Sequence, residues 1–188
     1  PQDLPTVARE WRRGADRRGD PYITGFGITI CNDEQEHLAR VLDACARAGL
    51  KNPARVYQQG TRNACQVLVH DQEFAQWLLS HAGRYSREKR IAAAVYAWPE
   101  ALRLRVLAGY CDTDGNGSDH SVRICTVNRG LALDTQRLCH TLGIPASITF
   151  HGAPTGYAGP VITWNTFIPA GSAAALRPLS RRQDRVRL

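Results

Sequence analysis

The 188 residues carry 24 lysines and arginines against 17 acidic residues, a formal net charge of +7, with 43% hydrophobic content and a mean hydropathy of −0.35. That composition fits a globular core and excludes a disordered polyelectrolyte. The longest apolar stretches, Ile91 to Trp98 and Leu104 to Tyr110, are too short or too charged to span a bilayer, and no signal-peptide pattern opens the chain.

The expected partner is a polyanion, because the chain is strongly basic. Lys51 and Lys89 are its only lysines, so arginine carries nearly all the positive charge. Arginine suits bidentate contacts to phosphate and guanine, although a GC-rich genome produces the same bias. The six cysteines, at 31, 45, 65, 111, 125 and 139, never reach a C-x-x-C spacing. They point to reduced, core-filling thiols and a cytoplasmic location, and away from a zinc ribbon. The chain contains no methionine, so we expect it to be a piece of something longer.

Taken in order, residues 1–24 read as a loop or remnant leader. A short alternating strand then leads to an amphipathic helix with Leu38, Val41, Leu42 and Cys45 on one stripe, stopped at Gly49. Ala54 to Gln58 and Ala64 to His70 make a hairpin, followed by a helix over Gln72 to Ala82, a basic link over Arg84 to Arg90 and a helix near Ile91. Pro99 and Glu100 open another helix, ending at Asp112-Thr113-Asp114-Gly115. A second strand and helix follow from Val122, then a hairpin built from Ala146 to His151 and Pro160 to Ile168 across the turn-rich stretch 152–159. Residues 177–188 form a basic tail.

These elements repeat. A shift of 94 residues lays Ile28 to Leu50 on Val122 to Ile144 without gaps, matching Ile30-Cys31 with Ile124-Cys125, Cys45 with Cys139, and Gly49-Leu50 with Gly143-Ile144. In the second copy Leu131, Thr135, Leu138 and Leu142 mark the helical stripe. Each helix is expected to cover one sheet face and leave the other open. Leu102, Val106 and Gly109, with Leu107, Ala108 and Cys111, put small residues into the apolar surface of the Pro99 helix, where another helix backbone is expected to approach.

Two carboxylates at the end of that helix oppose its macrodipole, so a cation is expected to compensate. Asp112-x-Asp114-x-Asn116-Gly117 starts like a calcium-binding EF-hand loop, but Arg123 occupies the position of the bidentate glutamate. Leu107-Ala108-Gly109-Tyr110-Cys111-Asp112-Thr113-Asp114-Gly115 resembles the nonapeptide that names the LAGLIDADG homing endonucleases, with L-A-G at its start and D-x-D-G at its end. Glu88-Lys89-Arg90-Ile91 resembles the approach to this family's second motif.

The resemblance implies an α+β fold, a pseudo-twofold pair of half-domains over 25–98 and 99–176, each a curved antiparallel sheet backed by helices. It implies a site-specific double-stranded DNA endonuclease using magnesium or another divalent metal. Asp114 takes the place of the catalytic, metal-binding acid, with Gly115 beside it and Asp112 structural. Counting back 94 residues from the motif lands on Arg13 to Pro21, which reads as a solvated loop, so the first motif helix is missing or lies upstream of Pro1; Asp16 and Asp20 are weak substitutes. DNA contacts are expected from Arg55, Tyr57, Gln59 and Arg62 in the first hairpin, Ser121 and Arg123 in the second-copy strand, and Thr149, His151, Thr163 and Asn165 in the last hairpin.

Many members of the family lie inside inteins. Pro1 and Leu188 supply neither the nucleophile nor the terminal histidine-asparagine pair that splicing needs, so this would be the endonuclease insert, excised from a host protein. The alternatives are a catalytically silent DNA-binding protein of the same fold and a protein-interaction domain with an incidental basic surface. No membrane partner is expected.

Overall fold

The computed structural model describes residues 12–15, 21–31, 35–50, 55–58, 64–83, 86–117, 120–156 and 159–176. They fall into two units: those up to 83 belong to the first and those from Ser86 onward to the second. The fold class is α+β, as the sequence indicates.

In the first unit, strands β1 (Arg12–Ala15), β2 (Pro21–Cys31), β3 (Arg55–Gln58) and β4 (Ala64–Val69) form one antiparallel sheet in the order β1-β2-β4-β3. Helices α1 (Gln35–Arg47) and α2 (Gln72–Ala82) accompany it. Val67, Val69 and Ala75 form its buried centre, with Val41, Leu42 and Cys45 of α1 and Phe74, Leu78 and Leu79 of α2 packed around them. Asp71 starts α2 by accepting a 2.9 Å bond from the Phe74 N–H.

The second unit has α3 (Glu100–Asp114), β5 (Gly115–Gly117), β6 (Ser121–Thr126), α4 (Arg129–Thr141), β7 (Ser147–Gly156), β8 (Gly159–Pro169) and the short α5 (Ala170–Ala173). Its sheet runs β5-β6-β8-β7, the same order as in the first unit when the four strands of each are taken in sequence. Leu107, Ala108 and Cys111 of α3, Val122 and Ile124 of β6, and Leu131, Leu138 and Cys139 of α4 are all buried. An amphipathic helix on one sheet face is thus satisfied twice with the same grammar.

The 94-residue repeat is exact at the helix: α1 and α4 both have 13 residues, and both end on a left-handed glycine, Gly49 at φ 63° and Gly143 at φ 68°. Leu50 N–H donates to the Cys45 carbonyl at 3.2 Å and Ile144 N–H to the Cys139 carbonyl at 3.0 Å, the six-residue closure that satisfies carbonyls at a helix end. The repeat then lengthens. Ile28 pairs with Val67, whereas its counterpart Val122 pairs with Ile168, so the last hairpin is longer in the second copy.

Several expectations are corrected. The stretch 13–21 contains the end of β1 and the start of β2, paired as a hairpin from Arg12 opposite Gly25 to Ala15 opposite Pro21. It is the counterpart of β5 and its hairpin, not of the motif helix. Gly117 pairs with Val122, whereas the described β1 pairs stop at Gly25, short of Ile28. Asp16, Asp20 and the basic tail 177–188 lie outside the described residues.

No α-helix forms near Ile91. One 3-10 turn spans Ala93–Ala97, because the Ile91 N–H donates to Asp134 Oδ2 at 3.1 Å and the segment is tied to α4. The unit boundary accordingly falls before Ser86, ahead of the expected break at 98–99. The turn-rich stretch 152–159 is largely strand, with a register shift between Ala153 and Gly156. Pro154 is tolerated there because β7 is the edge strand and that stretch is irregular. None of the described helices is long and apolar enough to cross a membrane.

Candidate nucleic-acid interface and acidic site

The second sheet has a packed face and an open face. Along β6, Val122, Ile124 and Thr126 are buried, while Arg123 and Cys125 are exposed and Ser121 is half-buried. Directly paired residues of antiparallel strands share a face. The register sets Arg123 opposite Phe167, Cys125 opposite Asn165, Thr149 opposite Asn165, and His151 opposite Thr163. Ser121, Arg123, Thr149, His151, Thr163 and Asn165 therefore lie on one face, turned away from α4. Thr149 and His151 are exposed and Thr163 is half-buried, its hydroxyl donating to the His151 carbonyl at 3.4 Å. Asn165 is only 4% exposed, so among the six it presents the least surface.

In the first unit, Arg55 pairs with Leu68 and Tyr57 with Gln66, two positions apart on β3. Gln59 and Arg62 lie outside the described residues.

Asp114 is the last residue of α3, and the chain passes straight from it into β5. Gly115 makes that passage possible: its N–H returns to the Cys111 carbonyl, and a Cβ at this position would collide with that same carbonyl. The glycine after the acid is thus a close-approach residue, needed although its φ of −84° is ordinary. Gly115 pairs with Ile124 and Asn116 with Arg123, so β5 carries the chain from the acid onto the edge of the open-faced sheet. Asp112 is 8% exposed and its charge helps to raise the Cys111 thiol pKa, which puts it against the packed side of α3.

Two groups face Asp114 electrostatically. Burial pushes the Lys89 amine below its usual value, and the Asp114 charge pulls it partly back. Burial raises the Tyr110 phenol, and Asp114 raises it further. Lys89 was not among the site residues expected from sequence. Its signal was present, in Glu88-Lys89-Arg90-Ile91 before the motif helix, but nothing in the spacing showed that this segment folds back onto α4.

The segment is held there by named bonds. Arg90 Nε donates to Asp134 Oδ2 at 2.6 Å and the Arg90 terminal nitrogen to Oδ1 at 2.9 Å, a forked pair of the kind guanidinium geometry favours. Asn128 Nδ2 donates to the Lys89 carbonyl at 2.6 Å while its Oδ1 accepts from Leu131 N–H at 3.1 Å, capping α4. Tyr96 donates to the Asp134 carbonyl at 3.0 Å and stacks under Arg137 at 4.6 Å.

The donor set for a divalent cation is partial. Asp114 offers a hard carboxylate and Gly115 a backbone carbonyl, which suits magnesium or calcium in kind. Among the described residues no group of three histidine, cysteine or acidic side chains gathers at one point. The expected close approach at Gly109 is also not made by the described residues: a Cβ there would meet nothing within 4 Å, and Leu102 is 47% exposed on the same helix.

An acid thus ends a helix that runs into a four-stranded antiparallel sheet, and the same sheet order occurs earlier in the chain. Residues 101–163 match the LAGLIDADG-like domain. The chain is similar to a single-site variant of I-DmoI in complex with its target DNA in the presence of manganese, at 10% identity over 90% of this chain and 84% of that one, with a TM-score of 0.56. It is similar also to I-DmoI in complex with DNA and calcium, at 12% identity over 82% of this chain and 74% of that one, with a TM-score of 0.54. At such identities the likeness is one of fold. No curated protein sequence matches the chain.

Proposed function

We propose that this chain is a homing-type, site-specific endonuclease of double-stranded DNA, or the endonuclease portion of an intein. The observation that carries the reading is the direct run from Asp114 through Gly115 and Asn116 onto the sheet whose open face presents Arg123, Thr149 and His151. That face offers a guanidinium for phosphate or guanine and hydroxyl and imidazole groups for base edges. I-DmoI, of the same fold, is found with DNA and with manganese or calcium, which supports duplex DNA and a divalent ion as ligands.

Asp114 and the Gly115 carbonyl are the residues that would hold the ion, and when bound it would polarise the scissile phosphate and lower the pKa of a coordinated water. The chain's own chemistry centres on Lys89. Burial makes its amine easier to deprotonate, so beside Asp114 it is suited to taking a proton at Nζ from the attacking water, or to offsetting phosphate charge when protonated. Burial and the Asp114 charge keep the Tyr110 phenol neutral.

A second reading, a catalytically silent DNA-binding protein of this fold, is favoured by one observation: among the described residues no three histidine, cysteine or acidic side chains gather where they could hold an ion. Cleavage of a long randomised duplex pool with magnesium separates the two. Cutting by the chain, abolished in Asp114→Asn, supports the nuclease; binding with no cutting supports the silent binder.

A further inference from the structure

We propose that Asn128 and Asp134 are positioning residues that hold Lys89 beside Asp114, an inference that rests on the nuclease reading only for its catalytic consequence. Three consecutive residues are fixed from α4. Asn128 takes the Lys89 carbonyl, Asp134 takes the Arg90 guanidinium by both oxygens, and Asp134 also takes the Ile91 N–H. The chain from the Lys89 carbonyl onward is thereby pinned, which fixes where the Lys89 side chain starts; the Asp114 charge acts on its amine.

The two anchors are themselves set. Asn128 is 6% exposed and Asp134 7%, so neither reorients without leaving buried polar atoms unsatisfied. Asn128 is locked by the helix cap it makes and by its own N–H donating to Thr126 Oγ1 at 3.1 Å. Gly130 completes the seat: a Cβ there would stand 3.1 Å from Asn128 Oδ1 and 3.3 Å from the Arg90 Cδ and Nε atoms. Helix α4 thus does two jobs, packing the sheet with Leu131, Leu138 and Cys139 and presenting its cap Asn128 and its mid-helix Asp134 to the Lys89 segment.

Two substitutions test this without removing Lys89 or Asp114. Asn128→Asp keeps an oxygen to cap α4 but replaces the donor to the Lys89 carbonyl with a repelling carboxylate. Asp134→Asn keeps the shape and removes the charge that holds Arg90.

Acylation of the intact chain in alkaline buffer, where access rather than protonation governs the rate, is read at Lys89 against Lys51, the only other lysine. The Lys89 to Lys51 ratio rises on the order of tenfold in both variants, and in DNA cleavage kcat falls on the order of tenfold or more with KM little changed, as misplacing a reacting group does. An unchanged labelling ratio in both folded variants overturns the proposal, whatever their melting temperatures. A wild-type chain that cuts no duplex overturns the nuclease reading instead, and the labelling ratio still decides the clamp.

Discussion

Gly49 and Gly143 end their helices in one and the same left-handed turn, each followed by a residue whose N–H returns to a cysteine carbonyl, Leu50 to Cys45 and Ile144 to Cys139. A side chain at either position would strain a backbone that only glycine adopts freely. Gly49→Ala and Gly143→Ala are each expected to destabilise by about 1 kcal/mol. The two effects are expected to add, because the glycines lie in different units. Urea unfolding of the single and double variants checks both points; a double variant no worse than one single would show that the two turns are not equivalent.

Gly109 makes the opposite prediction. It lies mid-helix in α3 with open space where a Cβ would go, so Gly109→Ala removes a helix-weakening residue and is expected to raise stability by up to about 1 kcal/mol. Thermal melting reads this directly. A lower melting temperature would show that Gly109 faces a neighbour in solution, as the small residues of that face suggest from sequence.

The thiols should separate by burial. Desolvation raises Cys139 to about 12 and raises Cys111 as well, where Asp112 and Cys139 add to it, so neither ionises near neutrality. Cys125 is exposed on the open sheet face. Alkylation of the folded chain followed by mass mapping is expected to modify Cys125 quickly and to spare Cys111 and Cys139 until denaturant is added. Modification of the latter pair at the rate of Cys125 would contradict the packing of α3 on α4.

Tyr96 gives a pH signature. Burial, reinforced by the Asp134 charge, raises its phenol from 10.0 to about 12. The folded state therefore holds this proton more tightly than the unfolded one. Its contribution is full below pH 10 and is lost as pH rises from there through about 12. Stability should fall across that window in wild type and fall less in Tyr96→Phe, measured by denaturant titration at several alkaline pH values.

The legibility of this chain was uneven for physical reasons. The helix from Gln72 to Ala82 was readable to the residue, because Asp71 caps it and Gly83 ends it. The repeat was readable because Cys45, Gly49, Cys139 and Gly143 fix one local geometry twice. The open face was readable from alternation alone, which placed Ser121 and Arg123 correctly relative to Val122 and Ile124. The role of Lys89 was not, since it depends on Asn128 and Asp134, distant in sequence, drawing an irregular segment onto α4. The β1 hairpin was missed for a similar reason. Arg12 to Ala15 has no apolar alternation and becomes a strand only by pairing with β2.

The central claim is that the open face of the second sheet binds duplex DNA. It is tested most directly by the affinity of the chain for random duplex as a function of salt. The account predicts binding at low ionic strength that weakens linearly in log salt, with a slope reduced by about one in Arg123→Ala if that arginine meets a phosphate. Absence of binding even at the lowest salt would contradict it.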